Sequence, residues 1–192
     1  MIYQIIAILI LAVFYGCYFI KMISQKRKGI QTDQIGKGKV GFVKFIEVTM
    51  KIITIIVPIA EIISIILNTF VLPLWARIAG ICIAVIGVAV FVTSVATMRE
   101  NWRAGVSKTD KTELVISGIY RFSRNPAFLG FDLVYIGILL MFFNLILFII
   151  SLFGAIIFHL QIVNVEEDYL LDTFGEKYLN YKKKVCRYFG RR

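Results

Sequence analysis

Histidine, cysteine and proline are scarce in this sequence of 192 residues, which contains one, three and three of them respectively. The cysteines Cys17, Cys82 and Cys186 have neither the spacing of metal ligands nor that of a disulfide framework. We therefore predict no metal site. The glycine fingerprint of a Rossmann dinucleotide site is also missing, which argues against that kind of nicotinamide binding.

Acidic residues are also few, because 12 Asp and Glu stand against 22 Lys and Arg and give a formal net charge of +10. A strongly basic chain can bind nucleic acid. Here, however, the basic residues lie in the loops between long apolar runs, as membrane topology requires. We therefore predict the lipid bilayer as a partner and no nucleic acid.

Long apolar runs make up much of the sequence, which is 59% hydrophobic with a mean hydropathy of +0.81. Runs of about twenty apolar residues are typical of helices that cross a bilayer. We predict an all-α integral membrane protein with five transmembrane helices. Their predicted bounds are Ile2–Ile20, Phe45–Phe70, Leu74–Met98, Phe128–Phe143 and Leu145–Val165.

The basic residues predict how these helices are oriented. Residues 21–51 contain eight Lys and Arg, residues 99–124 contain six, and residues 166–192 contain seven. The turns predicted on the opposite side of the membrane contain a single basic residue, Arg77. By the positive-inside rule, the N-terminus lies outside and the C-terminus lies in the cytosol.

Two ionisable residues fall inside the predicted spans. Glu61 lies in the second span and Arg77 near the start of the third, on either side of a turn at Pro73. Because charges in a bilayer are costly, such residues are usually paired or functional. We expect Glu61 and Arg77 to form a pair, and the alternative is a role in substrate binding.

A polar segment before the fourth span has the features of an anion-binding site. Glu113–Ile116 is predicted to be a short extended cytosolic segment, and Pro126 suits the first turn of the next helix with Asn125 as its cap. The free amide groups of that helix start, beside Arg121 and Arg124, would favour an anion. The alternative is that both arginines only fix the membrane topology.

An acidic cluster, Glu166-Glu167-Asp168, follows the last apolar run. Acids at the C-terminal end of a helix oppose the helix dipole. They therefore need a compensating interaction, which is either pairing with Arg103, Arg121 or Arg124, or binding of hydroxyl groups and a cation.

Four short motifs follow one another in the second half of the chain. They are Asn101-Trp102-Arg103-Ala104-Gly105, Leu114-Val115 with Ser117-Gly118-Ile119-Tyr120, Arg124–Gly130, and Glu166-Glu167 followed by Phe174-Gly175. This ordered set resembles the isoprenylcysteine carboxyl methyltransferase family, which are integral membrane enzymes that use S-adenosylmethionine and are related to phospholipid methyltransferases. The resemblance covers roughly Met98 to Arg187.

The resemblance implies a methyltransferase that acts on a lipophilic small molecule or a prenylated substrate and releases S-adenosylhomocysteine. It implies that residues 98–192 form the cofactor-binding region, with a helical hairpin and an amphipathic basic tail. Residues 1–97 would anchor it through three helices, with a flexible basic cytosolic loop at 24–44. The implied cofactor-binding residues are Gly105, Glu113, Leu114, Val115, Tyr120, Asn125, Pro126, Phe128 and Glu166.

Catalytic roles are expected for Arg103, Arg124 and Glu167. A carboxylate acceptor needs no base, whereas a hydroxyl or amine acceptor would, and Glu167, Asp132 and His159 are the candidates. Three positions depart from the family pattern. Asn125 and Phe128 replace a histidine and a tyrosine of the cofactor motif, and Ile162 replaces an arginine that would bind a substrate carboxylate.

Two other functions remain open from the sequence. A membrane reductase of the sterol-reductase type, which uses NADPH, shares an Arg-x-Pro-x-Tyr-Gly-like stretch and a similar architecture. A membrane protein with a degenerate, non-catalytic site is the second alternative, and Asn125, Phe128 and Ile162 favour it. The pair Glu166-Glu167 followed by Phe174-Gly175 favours the methyltransferase.

Overall fold

A computed structural model of the protein describes residues 1–106 and 112–191, and the part it describes contains helices and no strand. The all-α prediction is thereby confirmed. Short 3-10 turns occupy Arg99–Asn101 and Gly118–Arg121, and a π-helical turn, Ile162–Glu166, joins two of the main helices. The main helices are α1 (Ile2–Arg27), α2 (Gly41–Ile66), α3 (Leu74–Met98), α4 (Pro126–Met141), α5 (Leu145–Gln161), α6 (Glu167–Phe174) and α7 (Glu176–Lys184).

Four stretches of helix are long and apolar enough to cross a membrane, namely α1, α2, α3 and the continuous stretch Leu145–Phe174. The protein is therefore a multi-pass membrane protein. The fourth predicted span corresponds to α4, which is apolar but has only 16 residues. Four spans are thus supported by length and composition, and α4 packs among them.

Helices α3 and α4 lie unusually close together because glycines face each other along their contact. A Cβ atom added to Gly80 would lie 2.5 Å from the carbonyl oxygen of Gly137, and one added to Gly137 would lie 2.6 Å from the Cβ of Ala84. One added to Gly130 would lie 2.8 Å from the Cβ of Phe91. Small residues let membrane helices approach at backbone distance, where dispersion contacts are dense.

The predicted pair between Glu61 and Arg77 does not form. The Nη2 atom of Arg77 donates instead to Asn68 Oδ1 at 3.1 Å and to the carbonyl of Thr69 at 3.3 Å, and the guanidinium lies 3.9 Å from the ring centroid of Phe70. Acceptors and an aromatic ring of the local turn therefore hold the Arg77 guanidinium away from Glu61. Glu61 is fully buried, and neither of its carboxylate oxygens has a hydrogen-bond partner.

The basic loop after α1, predicted to be flexible, is fixed by two sets of contacts. Its backbone pairs with the segment after α3, since Ala104 N donates to Thr32 O at 3.0 Å and Gln34 N donates to Ala104 O at 2.9 Å. The buried carboxylate of Glu47 forms an ion pair with Lys39 and accepts a hydrogen bond from Gly36 N at 2.5 Å. A charged residue inside α2 thus organises the loop.

We expect the substitution Glu47→Ala to release this loop. The variant loses two hydrogen bonds to a buried charged group, each contributing roughly 1.5 kcal/mol or more. If the free energy of local opening falls by about 1.4 kcal/mol, the population of the open state rises about tenfold. Limited proteolysis with trypsin should therefore cleave after Lys37 about tenfold faster or more.

The matched control is Lys51→Ala, which removes an exposed ion pair with Asp33 (2.7 Å) from the same loop. An exposed pair contributes at most about 1 kcal/mol, so we expect a change of up to about fivefold. Equal cleavage rates for Glu47→Ala and the unmodified protein would show that the loop is held by other contacts.

Candidate functional site

One cavity lies where the motifs of the second half of the chain meet. It is bounded by α6, by the start of α4 and by the C-terminal ends of α3 and α5. The two segments that flank residues 107–111 complete the boundary. Its wall includes both predicted catalytic arginines and eight of the nine predicted cofactor-binding residues. These ten residues are Arg103, Gly105, Glu113, Leu114, Val115, Tyr120, Arg124, Asn125, Phe128 and Glu166.

Two predicted site residues do not line this cavity. Pro126 is buried at the first position of α4, where its fixed φ and missing N–H suit the helix start. Glu167 points away from the cavity into a cluster of basic side chains. The geometry therefore separates the neighbours Glu166 and Glu167, of which only Glu166 lies at the cavity wall.

The π-helical turn Ile162–Glu166 ends between the two glutamates, because it contains Glu166 and is followed directly by Glu167. A π turn holds one extra residue relative to an α-helix and often occurs at functional sites. Glu166 is the last residue of the turn, and Leu170 and Phe174 extend the same wall along α6. Since consecutive helical side chains lie about 100° apart, Glu167 falls on a different face.

Glu167 is the buried centre of an ion cluster. Its Oε1 atom lies 3.0 Å from Arg124 Nη1 and 2.7 Å from Arg187 Nε, and its Oε2 atom lies 2.7 Å from Lys182 Nζ. The side chains of Arg124 and Glu167 are only 4% and 5% exposed. The hydrogen bond that Arg187 donates to Glu167 raises the pKa of Arg187. The cluster therefore joins the start of α4, the start of α6 and the C-terminal tail.

Tyrosines complete the support behind Arg124. Its Nη1 atom also donates to the hydroxyl of Tyr178 at 2.8 Å, and burial raises the pKa of Tyr178 to about 12, so this phenol stays neutral. The hydroxyl of Tyr181 donates to the carbonyl of Tyr120 at 2.6 Å, and the hydroxyls of Tyr120 and Ser94 are 2.8 Å apart. Burial raises the pKa of Tyr120 as well. These bonds fix the turn Gly118–Arg121 against α3.

Asn125 holds the cap position of α4, as predicted, but its side chain does not cap the helix. Its Nδ2 atom donates instead to the carbonyl of Arg187 at 3.1 Å, and Arg124 N donates to Cys186 O at 3.1 Å. The C-terminal tail is therefore bound beneath the helix start. The arginine predicted to serve an anion there, Arg124, is turned toward Glu167.

Gly105 lies where the first loop meets the cavity. Its φ of +82° is in the left-handed region, and a Cβ atom there would lie 3.0 Å from the backbone nitrogen of Ile35. Glu113 N donates to Asn101 Oδ1 at 3.1 Å, and residues 112–116 form neither helix nor strand. Gly105 is thus a point of close backbone approach, which a larger residue would obstruct.

Several wall residues were not predicted, including five from the half of the chain assigned to anchoring. They come from α1, the first loop, α2 and α3, and further aromatic residues come from α4 and α5. They include Tyr18, Ile35, Met50, Thr54, Phe91, Phe131 and Phe158. Apolar residues inside spans carry no sequence signal that separates a cavity wall from a lipid-facing surface.

His159 and Asp132 do not line the cavity. The Nδ1 atom of His159 lies 2.6 Å from the hydroxyl of Tyr188, and the two rings are stacked at 6.0 Å. Asp132 lies one turn beyond Phe128 in α4, and its Oδ1 atom is buried without a hydrogen-bond partner. His159 thus binds the C-terminal tail to α5, and neither His159 nor Asp132 is among the residues of the cavity wall.

Comparisons with known proteins agree with this arrangement. The model of the family described as "Phospholipid methyltransferase" matches residues 75–177, which is more than half of the chain. The protein-S-isoprenylcysteine O-methyltransferase of Saccharomyces cerevisiae is 39% identical over 72 residues, 38% of this chain and 30% of the relative. The enzyme of that name from Rattus norvegicus is 31% identical over 113 residues, 58% of this chain and 40% of the relative.

The fold is similar to that of a solved eukaryotic intramembrane Ras methyltransferase, isoprenylcysteine carboxyl methyltransferase. The TM-score is 0.64 at 20% sequence identity, and the match covers 95% of this chain and 66% of the other. The matched regions span less than half the length of the two relatives named above. The resemblance recognised in the motifs is confirmed, and the chain belongs to the phospholipid methyltransferase family, whose model covers all of the predicted site residues.

Proposed function

We propose that the protein is an integral membrane methyltransferase that moves a methyl group from S-adenosylmethionine to a lipophilic acceptor, either isoprenylcysteine carboxylate-like or lipid-like. One observation carries this proposal. The separate segments that resemble the family's cofactor motifs converge on a single cavity at the helix ends. The positions of the Lys and Arg residues favour a site that faces the cytosol.

The groups around the cavity suit this cofactor chemically. Glu166 offers a carboxylate for hydroxyl groups, Arg103 offers a cation for a carboxylate, and Leu114 and Val115 offer an apolar surface. Gly105 lets a bound molecule approach the backbone. We infer that these residues hold the cofactor, together with Glu113, Tyr120, Asn125 and Phe128. We further infer that Pro126 fixes the start of α4 behind the site and that Arg124 supports the site through Glu167.

S-adenosylmethionine supplies a methyl group that its sulfonium has already activated. The protein then contributes mainly by positioning, because holding two reactants in line can supply much of the rate. The aromatic wall of Phe91, Phe131 and Phe158 would hold an apolar acceptor body and exclude water. Glu167 is engaged by three cations, so we assign it to positioning Arg124 and the tail.

The test is calorimetric binding of S-adenosylhomocysteine to the detergent-purified protein and to Glu166→Ala. A hydrogen bond to a charged group contributes about 1.5–3 kcal/mol, so we expect the affinity of the variant to fall at least about tenfold. The matched control is Asp168→Ala, which removes an exposed carboxylate two residues away and should bind normally.

The outcomes separate the proposed function from its alternatives. A Glu166→Ala variant that binds S-adenosylhomocysteine as tightly as the unmodified protein would contradict the assignment of Glu166. Binding of NADPH in place of S-adenosylhomocysteine would support the reductase. Binding of neither compound would support a degenerate, non-catalytic site.

A further inference from the structure

The basic loop after α1 contributes directly to the cavity, although the family model begins only after it, at residue 75. Ile35 lines the cavity, and its backbone nitrogen lies where Gly105 approaches the loop. Glu47 of α2 holds the residues that follow, through Gly36 N at 2.5 Å and through the ammonium group of Lys39. The position of this part of the wall therefore depends on a charged residue of the second helix.

Lys39 and Glu47 form a buried ion pair beside the cavity. Their side chains are only 10% and 0% exposed. Ile46, directly before Glu47, packs in the same core cluster as Val165. Val165 directly precedes Glu166 at the cavity wall, so the start of α2 lies against the π-helical turn. The ion pair therefore lies close to the carboxylate that we assign to the cofactor.

Burial disfavours a negative charge on Glu166, and three neighbouring groups modify that effect. The amide of Gln161 stabilises the charge from α5. Lys39 attracts the charge and Glu47 repels it, and the attraction is the larger of the two. The other titratable or charged groups that face Glu166 lie in the turn before α4 and along the cavity wall, namely Tyr120, Arg103, Arg124 and Glu113.

The charge state of Glu166 decides what its side chain can bind. An ionised carboxylate accepts hydrogen bonds at both oxygens, whereas a protonated one carries a donor and loses part of that capacity. Because burial makes the ionised form costly, a nearby cation lowers the cost of keeping it. Lys39 is suited to this role, because Glu47 fixes its ammonium group away from bulk water, where a charge is screened less.

From these contacts, and resting on the proposed function, we propose that Lys39 is a positioning residue of the cofactor site. Held by Glu47, Lys39 keeps the carboxylate of Glu166 ionised, so that this carboxylate accepts hydrogen bonds from hydroxyl groups of S-adenosylmethionine. Lys39 does not line the cavity and acts only through Glu166. The first loop is thereby part of the cofactor site.

The test is the pH dependence of S-adenosylhomocysteine binding to the detergent-purified full chain, measured by calorimetry. The profile runs from about pH 5 to about pH 9, where a buried carboxyl group titrates. We expect the affinity of the unmodified protein to fall toward acidic pH as Glu166 takes up a proton. Glu166→Gln should bind more weakly and lose this acidic limb, which assigns the limb to Glu166.

Lys39→Met removes the positive charge, so Glu166 should take up its proton at higher pH. We expect the midpoint of the acidic limb to rise by about one pH unit, which weakens binding about tenfold below both midpoints. A proton taken up by Glu47 in this variant does not reverse the sign, since the attraction by Lys39 exceeds the repulsion by Glu47. A midpoint that stays in place would overturn the proposal.

Glu47→Gln breaks the same ion pair but predicts the opposite shift. It removes the charge that repels Glu166 and leaves Lys39 in place, while the introduced amide oxygen can still accept from Gly36 N. The midpoint should therefore move to lower pH. If the pair served only to hold the loop, both variants would change binding in the same direction. A shift to higher pH in Glu47→Gln would therefore overturn the proposal.

Two further variants are the controls. Lys39→Arg keeps the charge and should restore the midpoint of the unmodified protein. Lys37→Met removes an exposed cation of the same loop, which donates to the carbonyl of Asp33 at 2.5 Å, and should leave the midpoint unchanged. An affinity of the unmodified protein that does not vary with pH would overturn this proposal alone, whereas failure to bind S-adenosylhomocysteine would overturn the proposed function with it.

Discussion

The substitution Gly137→Ala is expected to destabilise the whole protein. The added Cβ atom would lie 2.6 Å from the Cβ of Ala84 and 2.6 Å from the carbonyl oxygen of Gly80, which is inside van der Waals contact on both sides. The opposing atoms belong to the backbone and to the Cβ of α3, so no side-chain rotation relieves the overlap. Helices α3 and α4 must therefore move apart.

The expected cost is about 3 kcal/mol, at the upper end of overpacking in cores. For a protein of this size, about 3 kcal/mol corresponds to a fall in melting temperature of roughly 6–12 °C. Thermal unfolding in detergent, followed by size-exclusion chromatography or near-ultraviolet circular dichroism, measures it. Cavity-lining residues on both helices would separate as well, so S-adenosylhomocysteine binding should weaken in parallel.

The matched control is Gly16→Ala in α1, because a Cβ atom there meets no other atom within 4 Å. Both substitutions replace a helical glycine by alanine and gain up to about 1 kcal/mol of helix propensity. Gly16→Ala should therefore leave the melting temperature unchanged or raise it. If both variants melted alike, the close approach of α3 and α4 would not limit stability.

The second large effect is expected for Glu167→Ala. This change leaves the buried guanidinium of Arg124 without its counter-ion, and it also frees Arg187 and Lys182. Removing one partner of a buried ion pair costs about 3–5 kcal/mol, since the remaining charge stays desolvated. We expect a fall in melting temperature of roughly 6–20 °C and release of the C-terminal tail.

Asp172→Ala is the control for this prediction, because Asp172 is an exposed acid on the same short helix. Its loss should change stability by no more than about 0.5 kcal/mol. The melting temperature also distinguishes a catalytic role of Glu167 from a structural role in the ion cluster. A purely catalytic residue would give a variant that melts normally but does not transfer methyl groups, whereas the ion cluster predicts loss of stability.

The sequence was sufficient for the elements whose physical signal is local. The apolar runs predict the helices and the bounds of α3, although α1 continues past Ile20 to Arg27 and α2 runs from Gly41 to Ile66 instead of from Phe45 to Phe70. The start of α4 follows from Asn125 and Pro126, and α5 starts beside Asn144, whose side chain accepts a hydrogen bond from Leu147 N at 2.9 Å. The motifs of the second half also identified much of one wall of the cavity. These features depend on residues close together in the chain, which pattern and capping rules describe well.

Features that depend on contacts between distant residues could not be predicted. The ion pairs of Glu167 with Lys182 and Arg187 depend on how the C-terminal tail folds back against α6, which no local pattern describes. The order in the first loop depends on Glu47, a residue of α2 that resembles an ordinary surface acid in the sequence. Arg77 was expected to reach Glu61, yet nearer acceptors at Asn68 and Thr69 satisfy it.

The small size of α4 has a consequence for the lipids beside it. A helix of 16 residues is about 24 Å long, roughly 6 Å less than the hydrocarbon thickness of an ordinary bilayer. Lipids next to a spanning helix of this length would adjust by local thinning, at a cost of fractions of a kcal/mol per Å of mismatch. Because Asn125 and Phe128 at the start of α4 line the cavity, we expect access to the site to depend on membrane thickness, which reconstitution in bilayers of different acyl-chain length would measure.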